Sequence, residues 1–192
     1  MAYIIAIFET MIFLKSGVHR FDTSKRAAWL SMAVPVALLP LAFVTVPIAP
    51  PLGTDDLPPI DVANVSILIK IVSYALFAGG MFAYAQVSKQ LDRFPHMITS
   101  MNWVGLGTAL LSVPVLWLHY IDFIDRQTVE DLFIWVLVYQ YALVGFIIWC
   151  CYRIPWELAA ALAIFSIFIN QSTHDVLYIA FEFPIVDYFD VY

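Results

Sequence analysis

Seven polar side chains in the sequence have the chemistry to bind an ion or a small anion within a membrane. They are one lysine, three amides, two histidines and one aspartate: Lys70, Gln140, Asn170, Gln171, His119, His174 and Asp175. Each lies inside a long apolar run or at its end. Ionisable and amide groups are costly to place in lipid, so within such runs they are candidates for a functional site.

The composition indicates what kind of protein carries these residues. Of the 192 residues, 62% are apolar and 12% are charged, whereas soluble domains are about 45–50% apolar and about 25% charged. A soluble chain of this length could not bury so much apolar surface, so we expect an all-α integral membrane protein in contact with the lipid bilayer. The basic residues form no patch that would hold nucleic-acid phosphates, so no nucleic-acid partner is expected.

Five apolar stretches are long enough to cross a bilayer as helices, which needs about 20 residues. They are residues 27–49, 65–87, 97–120, 132–152 and 155–174. The sequence therefore predicts three parts. Residues 1–26 form a cytoplasmic amphipathic helix and a basic turn, residues 27–174 form a bundle of five transmembrane helices, and residues 175–192 form an acidic, aromatic tail on the outer face. Four prolines are expected to kink their spans: Pro35, Pro40, Pro47 and Pro114.

The two ends of the chain are apolar but are not predicted to span. Residues 3–16 are too short, and Glu9 and Lys15 can share one polar side, which favours a helix lying on the cytoplasmic leaflet. The tail is expected to lie on the outer leaflet or to fold back over the bundle. The alternative is that the fifth span continues to Phe183.

Lysine and arginine are unevenly distributed between the two sides of these spans. Seven of the nine precede the first span, follow the second or follow the fourth: Lys15, Arg20, Lys25, Arg26, Lys89, Arg93 and Arg153. Arg126 falls on the other side, and Lys70 lies within a span. Because short basic connections stay in the cytoplasm, we predict a cytoplasmic N-terminus and an external C-terminus, in a bacterial inner membrane.

The polar residues share the outer half of the predicted bundle. At about 1.5 Å of rise per residue, Lys70 lies about 10 Å and Gln140 about 12 Å below the outer surface, and the other five lie nearer to it. One hypothesis is an outward-facing polar cavity in which Lys70, paired with Asp175 or Asp122, binds a small anion or a lipid headgroup. The other is structural: the lysine extends to the interface and the amides join helices.

Catalytic and cofactor motifs are not found in the sequence. His119 and Asp122 are three residues apart, as metal ligands on a helix can be, and His174 could join them. However, there is no HExxH or other dense ligand motif, so haem or metal binding at His119 and His174 is disfavoured and no cofactor is expected. There is likewise no GxSxG, intramembrane aspartate pair or phosphate loop, so we do not expect an enzyme.

Small residues recur every four positions on three of the spans, a spacing that lets helix backbones approach closely. They are Ala75, Gly79 and Ala83 on the second span, Gly105 and Ala109 on the third, and Ala159 and Ala163 on the fifth. Packing within the bundle explains this pattern. Homo-oligomerisation, or docking into a larger membrane complex, is the alternative.

Two stretches resemble a known family. FLKSGVHRFDTSKRAAWLSMAVPVALLPLAFV is similar to the approach to the first span in bacterial members of the Yip family, where a short amphipathic segment and a basic turn precede the first of five spans. VSKQLDRFPHMITSMNWVGLGTALLSVPVLWL resembles the junction between their second and third spans. The resemblance implies a non-enzymatic five-helix bundle with no catalytic residues.

These observations lead to one functional prediction and one alternative. We expect a non-catalytic polytopic membrane protein that organises membranes or serves as an accessory subunit of a membrane complex. The alternative is a small transporter or channel with an outer-leaflet polar cavity around Lys70.

Overall fold

A computed structural model describes residues 2–48, 57–181 and 183 of the chain. Within these residues all regular secondary structure is helical, in nine α-helices. They are α1 (Ala2–Met11), α2 (Lys15–His19), α3 (Lys25–Ser31), α4 (Ala33–Leu38), α5 (Ala42–Ile48), α6 (Pro59–Val87), α7 (Phe94–Tyr120), α8 (Arg126–Tyr152) and α9 (Trp156–Ala180). Short 3₁₀ turns at Leu39–Leu41 and Leu91–Arg93 precede α5 and α7.

Four of the predicted spans correspond to helical segments that are long and apolar enough to cross a membrane. These segments are Lys25–Pro47, Pro59–Val87, Leu91–Tyr120 and Arg126–Tyr152. α9 has 25 residues and contains the fifth predicted span, but it is not among these four. It ends at Ala180, beyond the expected boundary at residue 174. Most of the tail lies outside the described residues. So do Asp55 and Asp56, which belong to the loop between the first and second predicted spans.

The N-terminal segment differs from the single helix expected over residues 3–16. α1 ends at Met11, Phe13 takes a left-handed conformation with φ of 59°, and α2 begins at Lys15. The amides of Phe13 and Leu14 bond back to carbonyls of α1, which is how a left-handed residue closes a helix. Lys15 therefore does not extend the polar side of α1.

The two N-terminal helices pack on each other through a glycine. A Cβ atom at Gly17 would lie 2.6 Å from Thr10 Oγ1 and 2.7 Å from Ala6 O, and it would also collide with Thr10 N. Only glycine allows α2 to approach the α1 backbone this closely. Glu9 of α1 and Arg20, which follows α2, then form an ion pair at 2.8 Å.

α1 is held against the bundle rather than isolated from it. Ala6 and Thr10 are fully buried, and α1 contacts α7 and α8. α1 comes so close to α7 that its side chains fill the space beside Gly107. A Cβ atom added there would lie 2.6 Å from Ile7 Cγ2 and from Met11 Sδ. The Tyr139 hydroxyl of α8 donates a hydrogen bond to Met11 O. The helix predicted to lie on the membrane is thus fastened to two helices of the bundle.

The first predicted span is interrupted, as its prolines led us to expect. It consists of α3, α4 and α5, with breaks at Met32 and at the 3₁₀ turn that contains Pro40. Pro35 and Pro40 cannot donate to the carbonyls four residues earlier, so the helix is broken near each of these points. α7, in contrast, continues through Pro114.

The long helices pack side by side. α8 lies between α7 and α9, α9 also packs on α6, and the interrupted first span packs on α7 and α6. The largest buried cluster includes Met81, Met97, Ile148 and Tyr152, each no more than 1% exposed. This cluster lies near the ends of α6, α7 and α8 that the charge distribution assigns to the cytoplasm, where α1 and α2 also pack.

Candidate functional site

Lys70 faces the outside of the bundle. Its side chain is exposed, while its neighbour Ile69 is buried in a core cluster with Tyr178. Among the described residues, none forms a hydrogen bond or an ion pair with Lys70. An outward lysine at this depth is expected to lay its stem along apolar surface and carry its ammonium towards the interface.

Three of the predicted site residues lie together near the end of α9. Gln171 Nε2 donates a hydrogen bond to Asp175 Oδ1 at 2.8 Å. His174 Nδ1 lies 3.2 Å from the same carboxylate oxygen, and its ring packs on Tyr178 with centroids 3.9 Å apart. The cluster belongs to one helix, with its residues one and four positions apart, so it arises from local geometry alone.

The other members of the predicted set have separate environments. His119 Nδ1 lies 3.1 Å from Ile124 O, so the ring helps to order the turn between α7 and α8. Asn170 is exposed on α9. Gln140 is half-buried on α8. The shared cavity around Lys70 therefore stays a prediction. Of the seven predicted residues, only Gln171, His174 and Asp175 on α9 lie together.

The turn before α8 is stabilised by a helix cap. Asp125 accepts a hydrogen bond from Thr128 N at 2.8 Å. Hydrogen bonds from Thr128 hold the pKa of the Asp125 carboxyl below its usual range. This carboxylate is therefore engaged in starting α8. No group of three or more His, Cys, Asp or Glu side chains within the described ranges is arranged to hold a metal ion.

A buried polar chain links three of the apolar segments, and sequence reasoning did not identify it. Tyr74 OH of α6 donates to Asn102 Oδ1 of α7 at 2.8 Å. Asn102 Nδ2 donates to Ser31 Oγ of α3 at 2.9 Å, and Ser31 Oγ donates to Ala28 O at 2.8 Å. Ser31 and Asn102 are 1% and 4% exposed, so the bonds hold the three segments in register in a low-dielectric interior.

The predicted cytoplasmic end contains a second set of polar contacts. Val18 O lies 2.8 Å from His96 Nε2, which must carry the proton because a carbonyl only accepts. Arg93 Nη1 donates to Tyr152 O at 2.7 Å. Lys15 Nζ lies 3.9 Å from the centroid of the Trp149 ring, in a cation–π contact. The N-terminal segment and the connection between α6 and α7 are thus fastened to α7 and α8.

Comparisons with known proteins do not assign the chain to a family. No protein-family model, no curated protein and no solved structure matches it. The resemblance to the Yip family stays a prediction.

Proposed function

We propose that the protein is a non-catalytic, multi-pass membrane protein that organises membranes or acts as an accessory subunit of a membrane complex. The observation that carries the proposal is the contrast between its outer surface and its interior. Large apolar side chains point outwards from the helices: Trp29, Leu110, Trp135 and Phe168 are each between 59% and 78% exposed. Such a surface suits contact with lipid tails and with other membrane helices.

The interior supports a role based on packing. The polar groups of Tyr74, Asn102 and Ser31 bond to one another or to the backbone. Polar bonds of this kind commonly join helices in membranes. Lys70, the residue on which a transport site would depend, points away from this interior.

We further propose that α9 is the fifth span, which would place the N-terminus in the cytoplasm and the C-terminus outside, in a bacterial inner membrane. α9 is 25 residues long and packs on both α6 and α8. Only residues 153–155 separate it from α8. A connection this short makes consecutive helices antiparallel neighbours, so α9 returns along α8. The distribution of basic residues supports the orientation.

Purification of the full chain from native membranes in a gentle detergent tests the proposed role. We expect a second membrane protein to be recovered in a fixed ratio, and the same ratio when the partner is used as bait. The Lys70→Ala variant should recover it equally well. A chain that purifies alone, and that supports a Lys70-dependent flux of a small anion into proteoliposomes, would instead indicate a transporter.

A further inference from the structure

An open pocket of about 330 Å³ lies at the predicted cytoplasmic end, between the N-terminal segment and the α8–α9 turn. It is lined by Lys15, His19, Trp149, Cys150, Arg153 and Ile154. Two of these side chains are basic, a third is an imidazole, and none is a carboxylate. The volume falls within the range of small-ligand sites, about 300–1,000 Å³.

The two cations in this pocket are not neutralised by the protein. Within the described part of the chain, no carboxylate pairs with Lys15 or Arg153. Arg20 lies nearby in the sequence, and it is paired with Glu9 at 2.8 Å. Lys15 Nζ is held over the Trp149 ring, 3.9 Å from its centroid, which fixes the position of the ammonium. The pocket therefore has an excess of positive charge that an anion would balance.

Arg153 occupies a backbone conformation that glycine would adopt more easily. It caps α8 with φ of 52°, and its amide bonds to Trp149 O at 3.0 Å. Glycine is the usual residue at a left-handed helix end. An arginine in this conformation places a planar guanidinium at the pocket, where it can bind two oxygens of a phosphate at once.

A second, apolar groove of about 340 Å³ runs between α8 and α9. Trp149 lines both this groove and the basic pocket. Small residues form part of the groove wall, and a Cβ added at Gly145 would lie 3.5 Å from Ala163 Cβ. Ala160, also in the wall, is half-buried. The groove has the apolar lining that a lipid acyl chain requires.

We infer that the basic pocket and the α8–α9 groove together form a binding site for an anionic phospholipid of the cytoplasmic leaflet. The phosphate lies between Lys15 and Arg153, and one acyl chain lies in the groove beyond Trp149. Charge complementarity selects the headgroup, and the apolar groove that shares Trp149 with the basic pocket selects a lipid over a soluble phosphate. Basic pockets between membrane helices on the cytoplasmic side are suited to such headgroups. The inference rests on the proposed membrane function and its orientation.

Native mass spectrometry of the full chain in detergent, with limiting amounts of added lipid, tests the site. The wild-type chain should bind phosphatidylglycerol in preference to phosphatidylcholine, and this comparison needs no variant. Equal binding of the two lipids would overturn the proposal. In the double variant Lys15→Gln with Arg153→Gln, we expect phosphatidylglycerol to bind about 30-fold more weakly, from the loss of two cation–phosphate contacts.

A matched control removes two other cations from the same predicted side. Lys25 and Lys89 are exposed, lie outside the pocket, and Lys89 shares the left-handed conformation of Arg153. The double variant Lys25→Gln with Lys89→Gln should bind phosphatidylglycerol as the wild type does. An equal loss in both double variants would show a general charge effect and overturn the site.

Two further experiments distinguish binding of a lipid from binding of a soluble anion. Ala160→Trp should fill the groove and weaken phosphatidylglycerol binding, whereas unchanged binding would show that the chain does not lie there. Inorganic phosphate should not displace the lipid at equal concentration, and displacement would indicate a soluble ligand instead. A Lys70-dependent anion flux would contradict the proposed function without changing these lipid counts, so the two failures can be told apart.

Discussion

Gly17→Ala should separate α2 from α1 and destabilise the N-terminal segment. An added Cβ would lie 2.7 Å from Ala6 O and 2.6 Å from Thr10 Oγ1, where ordinary contact begins at 3.4 Å. Ala6 O and Thr10 N are backbone atoms that cannot rotate away, so α2 must move outwards by at least about 0.7 Å. The shift displaces Val18, and we expect the 2.8 Å hydrogen bond between Val18 O and His96 Nε2 to be lost.

The size of the effect follows from one stabilising and two destabilising contributions. Alanine in place of glycine within a helix stabilises by about 1 kcal/mol. Overpacking costs about 1–3 kcal/mol, and the lost bond to Val18 O costs about 1 kcal/mol more. The net result is a destabilisation of about 2 kcal/mol if the overpacking cost is in the middle to upper part of its range. Gly79→Ala is the matched control, because a Cβ there meets nothing within 4 Å. It should stabilise by up to about 1 kcal/mol.

Unfolding by sodium dodecyl sulfate in mixed micelles gives the two free energies. Hydrogen–deuterium exchange of the peptides that cover α1 and α2 reports whether the N-terminal segment alone has been released. We expect faster exchange in Gly17→Ala, whether or not the whole bundle becomes less stable. If Gly17→Ala were as stable as Gly79→Ala, with wild-type exchange in α1, the close approach of the two helices would be refuted.

Four other substitutions, one of them followed by a pH titration, test further parts of the structure. Asn102→Ala removes the hydrogen-bond partner of Tyr74 OH and Ser31 Oγ. It should lower the free energy of unfolding by about 1–2 kcal/mol in the same assay. An unchanged value would mean that the polar chain contributes nothing to stability. Ser24→Ala removes the side chain that accepts a hydrogen bond from the Ala27 amide at the start of α3, and it should lower stability by about 1 kcal/mol. The hydrogen bond from Arg20 lowers the pKa of Glu9, so the contribution of this pair is present at neutral pH and lost as the pH falls through the lowered value. Arg20→Gln should therefore reduce the acid dependence of thermal unfolding, and an unchanged pH profile would contradict the pairing. Lys70→Ala should leave thermal unfolding and partner recovery unchanged, whereas a loss of either would favour the polar cavity.

The long helices were predictable because the length of an apolar run is a local property of the chain. The third predicted span, 97–120, lies within α7, and the fourth, 132–152, lies within α8. Their N-terminal ends were not predicted, since α8 begins at a capping Asp125 in a polar stretch. Hydropathy marks the part of a helix that suits lipid, while caps decide where the helix begins.

The polar contacts between helices were not predictable from the same pattern. Tyr74 and Asn102 are 28 positions apart, and Asn102 and Ser31 are 71 apart. Their pairing depends on how each helix is rotated about its axis, which no single run of sequence specifies. The break at Phe13 also lacks a signal, because a phenylalanine rarely adopts positive φ. Gly17 is the one residue near it whose type indicates a close backbone approach.

Orientation in the membrane underlies both the proposed function and the lipid site, and it can be measured directly. Cys150 and Cys151 are the only cysteines in the chain and both are buried, so replacing them with serine gives a background for single labels. Exposed positions are available on each predicted side of the bundle.

The decisive measurement is the labelling of single cysteines in intact cells by a membrane-impermeant maleimide. Thr23→Cys and Asp92→Cys should be labelled only after the cells are broken, because both positions are predicted to face the cytoplasm. Gln127→Cys and Phe181→Cys should be labelled in intact cells, the latter because it follows α9 on the predicted outer side. Labelling of Thr23→Cys from outside, or protection of Phe181→Cys until lysis, would contradict the five-span arrangement with a cytoplasmic N-terminus and an external C-terminus.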